Sequence, residues 1–129
     1  MDNKETYFTT VGELNKHIGE IVVCFYYKDY NKEYDRSFTR PYDESNISFM
    51  WAFKMTHPIM GAPGINLRRA DLSGTDFVCL IDRQSSKTCK TPYFMKHEQS
   101  CNAQAYVRLA TKEELTKYMG VLRYRRIFG

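Results

Sequence analysis

Residues 47–55, Ile47-Ser48-Phe49-Met50-Trp51-Ala52-Phe53-Lys54-Met55, decide how the chain is read. Apolar side chains recur at Ile47, Phe49, Trp51, Phe53 and Met55, a period of two that places them on one face of an extended strand. A one-sided sheet buries only one face of its strands completely. Trp51 stands at the centre of the segment and is expected in the core.

Working outward, residues 20–30 (EIVVCFYYKDY) are β-branched and aromatic and predict a second strand. Residues 29–35 read as a turn, and 36–40 (RSFTR) alternate charged and apolar before Pro41, which together predict a hairpin with a solvated second strand. Upstream, Thr10-Val11-Gly12-Glu13 has the form of a capping box, with Leu14 and Ile18 following at helical spacing and Gly19 able to end the helix in a left-handed conformation. A short helix over 10–18 is expected. Downstream, two prolines and two glycines within 57–64 demand a loop. Residues 77–81 and 105–109 predict further strands. Thr111-Lys112-Glu113-Glu114 is a second capping box that opens a helix through about Met119, with Gly120 as its stop. Beyond it, the alternation of Arg123 and Arg125 with Leu122 and Tyr124 favours a final strand.

Strands and long helices do not alternate regularly along the chain, so a doubly wound parallel sheet is not expected. The reading is α+β: a mainly antiparallel, strongly curved sheet, approaching a small half-open barrel, with two short helices. At 129 residues, with 43% apolar side chains, one globular domain spanning 1–129 can bury a core without disulfides or a structural metal.

Residues 66–79, NLRRADLSGTDFVC, resemble the pentapeptide-repeat family. Leu67, Leu72 and Phe77 occupy its central position every five residues, with Ala70 and Thr75 as the preceding small residues. The pattern stops on both sides, where Ala62 and Asp82 would be the next centres and Ile65 is large where a small residue is needed. Three repeats do not complete one coil of such a solenoid, and stacked repeats need neighbours to bury a core. Residues 72–76 are therefore read as a turn into the Phe77 strand.

Charge is distributed unevenly. Between residues 108 and 129, Arg108, Lys112, Lys117, Arg123, Arg125 and Arg126 face only Glu113 and Glu114, an excess of four that equals the net charge of the whole chain. This basic C-terminal segment interleaves guanidinium groups with aromatics. Arginine forks match phosphate oxygens and aromatic rings stack on unpaired bases, which marks Arg123, Tyr124, Arg125, Arg126 and Lys117 as candidate contacts to nucleic acid or a nucleotide. Arg68 and Arg69 would extend the surface. A second class of partner is suggested by the tyrosines: Tyr26, Tyr27, Tyr30 and Tyr34 crowd the hairpin, and exposed tyrosine favours protein interfaces. They are candidates for docking on a host protein such as a polymerase or nuclease, and an exposed aromatic hairpin would also favour a homodimer.

Cys79, Cys89, His97 and Cys101 supply soft ligands of the kind zinc takes, but without the close Cys pair that begins most structural zinc sites, and a cysteine within a strand behaves as a small apolar residue. No cofactor is expected. His17, His57 and His97 stand in no recognisable catalytic setting, and residues 61–64 lack the Lys-Ser/Thr of a phosphate-binding loop, so the protein is read as non-enzymatic. No window approaches the roughly 18 apolar residues of a membrane span and the N-terminus carries no apolar leader, which predicts a cytoplasmic protein with reduced cysteines and no membrane partner. In composition and size the chain is similar to small accessory proteins of large DNA phages, which implies a binding factor acting on host machinery.

Overall fold

The structure is a computed structural model and describes residues 7–28, 39–59, 74–82 and 106–129. Its elements are α1 (Val11–Leu14), continued by a 3₁₀ turn at Asn15–His17, then β1 (Ile21–Tyr27), β2 (Ile47–Lys54), β3 (Val78–Asp82), β4 (Tyr106–Leu109) and α2 (Lys112–Phe128). All strand pairs are antiparallel in the order β3-β2-β1-β4. The sheet curves as a half-barrel, so the α+β reading holds.

Both faces of this sheet are covered. Opposite pairing sets Cys79, Trp51, Cys24 and Val107 in one transverse row, and Val78, Ala52, Val23 and Arg108 in the next, on the other face. On the first face Val22, Cys24, Tyr26, Trp51, Phe53 and Val107 pack with Leu14 of α1 and with Met55 and Ile59. Tyr26 stacks on Trp51 at 5.9 Å. On the second, Val23, Phe25, Tyr27, Met50, Ala52 and Val78 pack beneath Tyr118, Val121 and Leu122 of α2. Each large apolar side chain taken fully from water adds roughly 1.5–3 kcal/mol, so two covered faces give a core that one could not.

The period-two reading of residues 47–55 holds for Trp51, Phe53 and Met55 but not for Ile47, which packs on the α2 face. A bulge is the cause: β1 pairs Tyr26 with Phe49 but Tyr27 with Ile47, leaving Ser48 as the extra residue. The side chain of Phe49 is not among those described. A second irregularity between Met50 and Trp51 skips Leu80 in β3, so the consecutive Leu80 and Ile81 both lean on the α2 face.

The N-terminal cap departs slightly from expectation. Thr10 Oγ1 accepts from the Glu13 N–H at 3.1 Å, but the Glu13 carboxylate accepts chiefly from Thr9 N and Thr9 Oγ1 (2.8 and 2.7 Å). Those bonds, with the Thr9 hydroxyl first, hold the Glu13 pKa below its usual range. Gly19 has φ of +99°, a left-handed conformation suited to glycine, and its N–H donates to Met55 O at 2.8 Å, which aims the chain into β1 beside the end of β2. The hairpin partner expected at 36–40 lies mostly outside the described residues. Thr39 and Arg40 carry no strand, and β1 is flanked by β2 and β4.

The largest correction concerns the C-terminus. Gly120 does not end the helix, and residues 121–128 are not a strand: α2 runs 17 residues, about 25 Å. A glycine inside a helix costs about 1 kcal/mol relative to alanine. Half-burial of Val121 and Leu122 against the sheet, together with an Arg125 Nη1 bond to Phe77 O at 3.2 Å, outweighs that cost. The alternation that suggested a strand is also consistent with a helix whose exposed side mixes charges and rings.

Candidate nucleic-acid interface

What positions α2 is a buried ion pair at its first turn. Arg108 lies on β4, only 4% exposed, on the face that α2 covers. Its Nη1 and Nη2 donate to the two Glu114 carboxylate oxygens at 2.8 and 3.1 Å, a bidentate fork. Glu114 Oε1 also accepts from Thr111 N at 2.9 Å while Thr111 Oγ1 accepts from Glu114 N at 3.2 Å, completing the capping box predicted there. Burial alone would push the Glu114 carboxyl up, but the Arg108 and Thr111 bonds together outweigh it and hold the group below its usual range. Arg108 therefore supports the helix and does not belong to a basic surface.

Beside this pair the tyrosines find their place. Tyr7, Phe25, Tyr27, Tyr42 and Tyr106 form one cluster of edge-on and stacked rings with centroids 5.2 to 6.0 Å apart. The Arg40 guanidinium sits 3.9 Å over the Tyr27 ring, and Arg108 5.1 Å from that of Tyr42. The Tyr27 hydroxyl donates to Pro41 O at 3.1 Å and accepts from Asp43 N at 3.3 Å. Tyr26 and Tyr27 do point to opposite faces, yet both are 1% exposed, so neither offers the open protein interface anticipated. Tyr30 and Tyr34 lie outside the described residues.

The far end of α2 is different. Every side chain from Arg123 onward is exposed, with Tyr124 at 64% and Phe128 at 71%, their ring centroids 4.8 Å apart. At about 3.6 residues per turn, Lys117 falls on the same side as these two rings, while Arg123 and Arg126, three residues apart, share a side turned well away from them. Arg125 is turned toward the sheet and committed to Phe77 O. Of the residues expected to meet phosphate, the structure thus leaves Arg123 and Arg126 at the exposed end, Lys117 about two turns nearer the start of α2, and Arg125 exposed with its Nη1 on Phe77 O. Arg68 and Arg69 lie outside the described residues. Basic side chains in the last turn also complement the negative end of the helix dipole, a stabilising role that coexists with binding.

A feature that sequence reasoning missed is a cleft of about 490 Å³ between the first turns of α2 and strands β2 and β3, bordered by Tyr42, Glu44, Met50, Ile81, Glu113 and Lys117. Burial first, then the neighbouring Glu44 charge, push the Tyr42 pKa up to about 12, so its hydroxyl stays protonated at neutral pH. The carboxylates repel phosphate, which separates this cleft from the basic end of α2. No spacing in the sequence could reveal it, because its walls come from distant segments.

Cys79 is half-buried in β3 with Sγ 3.5 Å from Ile81 O, while Cys89, His97 and Cys101 lie outside the described residues. Among the described residues no group of three His, Cys, Asp or Glu side chains is arranged to hold a metal ion. Among them, too, no helix is long and apolar enough to cross a membrane. No protein-family model, curated protein or solved structure matches the chain.

Proposed function

We propose that this protein is a non-enzymatic binding module that engages a phosphate-bearing partner, nucleic acid or nucleotide, through the distal half of α2. The supporting observation is an exposed distal end of α2 that carries Arg123 and Arg126 on one side and the Tyr124–Phe128 ring pair on another, with Lys117 about two turns back on the ring side, on a helix whose other end is anchored by the Arg108–Glu114 fork. Phosphate neutralisation is carried by the three cations, and Arg125 keeps the helix end against the sheet. The reading is tested by fluorescence anisotropy of labelled single-stranded RNA, single-stranded DNA and duplex DNA across a salt series. Three phosphate contacts give a log–log salt slope of about −2 on single strands, and Arg123→Glu with Arg126→Glu reduces it to about −0.7 or abolishes binding. Flat titrations at low salt, or identical binding by the double variant, would overturn it.

A second reading rests on a different observation. Met119 and Ile127 are exposed aliphatic side chains on the same helix, and neither can stack on a base in the manner of an aromatic ring. They suit a protein partner, and the surface for it is α2 and not the tyrosines of β1. Loss of a partner on Met119→Ser with Ile127→Ser, while nucleic-acid binding is unchanged, would favour that reading.

A further inference from the structure

We infer that the partner is a flexible single strand of nucleic acid whose bases stack on the outer faces of the Tyr124–Phe128 pair; this rests on the phosphate-binding reading above and names its ligand. The first reason is the placement of charge. Arg123 and Arg126 occupy one side of the exposed helix end, and Lys117 lies on another with the two rings. A duplex is stiff over about 150 base pairs and holds its phosphates in two rows whose separation the groove fixes. A single strand bends at every nucleotide, so it can reach Arg123 and Arg126 on one side and Lys117 on the other.

The second reason is the rings. With centroids 4.8 Å apart and planes tilted by 40°, Tyr124 and Phe128 already touch each other, so no base fits between them. What they present is a two-ring platform with open outer faces, at 64% and 71% exposure. Bases in a duplex keep their faces covered by their neighbours, whereas an unpaired base can turn onto such a platform, and every base has a face to offer. Recognition is therefore tolerant of sequence and selective for unpaired bases. The carboxylates Glu44 and Glu113 border the cleft nearer the start of α2, so the strand extends no further toward that end than Lys117, which also borders the cleft.

The test compares three probes with the full chain: a labelled oligothymidine, an abasic strand with the same number of phosphates, and a duplex of the same length. The expected result is oligothymidine binding about 5- to 150-fold tighter than the abasic strand, the range for stacking of one base. Tyr124→Ala with Phe128→Ala should bring oligothymidine down to the abasic level without changing the salt slope. Because both rings are exposed, the variant should keep its circular dichroism and thermal midpoint. Equal binding of oligothymidine and abasic strand with a salt slope intact would overturn the stacking inference and leave the phosphate reading standing. Tighter binding of the duplex would overturn the preference for single strands. No binding of any probe would overturn the inference together with the proposed function.

Discussion

Replacing Glu114 with glutamine tests whether α2 is held by the charge of its buried fork. Glutamine keeps the shape of the side chain and its amide oxygen can still accept the Thr111 N–H, so the capping box survives, while the charge and the Arg108 Nη2 half of the fork are lost. Arg108 then remains as a guanidinium with a side chain 5% exposed that has lost the Glu114 charge. Removing one member of a buried pair costs about 3–5 kcal/mol. The Tyr42 and Phe25 rings, 5.1 and 5.7 Å from the guanidinium, persist and offset roughly 1 kcal/mol of that. A net loss of about 2–4 kcal/mol is expected, against the roughly 5–15 kcal/mol of a whole domain. Urea unfolding followed by circular dichroism measures it. The pH dependence supplies a second readout. The folded carboxyl holds its proton less tightly than the unfolded one, so the pair contributes fully above the ordinary value of 4.5 and its contribution is lost as pH falls through the lower folded value. The variant should lose this acid-side dependence. A cost below about 1 kcal/mol with an unchanged denaturant slope is what a solvated surface pair gives, and would refute the reasoning.

Two more outcomes follow from local geometry. Gly120→Ala should raise stability by about 0.5–1 kcal/mol in thermal unfolding, because a Cβ there meets nothing within 4 Å and the residue is helical; a loss would mean that another body approaches the helix at that point. Stability should fall as pH rises above 10, since burial raises the pKa of Tyr27 and Tyr118 and takes Tyr42 to about 12, so the unfolded chain gives up protons that the folded one retains. Tyr42→Phe should flatten part of that alkaline decline in the urea midpoint measured at successive pH values.

Strand existence was legible because it rests on local chemistry: β-branched and aromatic runs at 21–27, 47–54 and 78–82 form strands wherever a covered surface is available. Both hydroxyl caps were legible for the same reason, since Thr10 and Thr111 act on residues three positions away. Facing was not. A period-two count assigns Ile47 to the side of Trp51, and only the pairing of β2 with β1 creates the bulge at Ser48 that reverses it. Nor was the fate of the tyrosines legible, because a sheet was assumed to hide one face. With α2 laid across the second face, Tyr27 and Tyr106 became interior and hydrogen-bonding partners such as Pro41 O came within reach.

The candidate site changes most where the element type was misread. As a strand, residues 122–128 would set Arg123 and Arg125 together on one side and Tyr124 and Arg126 on the other, a flat arrangement suited to tracking along one rigid backbone. As a helix, the same residues aim the exposed Arg125 at Phe77 O and bring Phe128 beside Tyr124, with Arg123 and Arg126 around the opposite side. The pairing of Tyr124 with Phe128 exists only at the four-residue spacing of a helix, so any contribution of that pair to binding depends on α2 continuing past Gly120. Gly120→Pro, which removes the N–H bonded to residue 116 and places a ring against its carbonyl, should therefore unwind the distal turns and remove the single-strand preference while the Arg108–Glu114 anchor and the sheet stay folded. Retention of that preference in a chain whose distal helix has melted would show that the rings act without the helix.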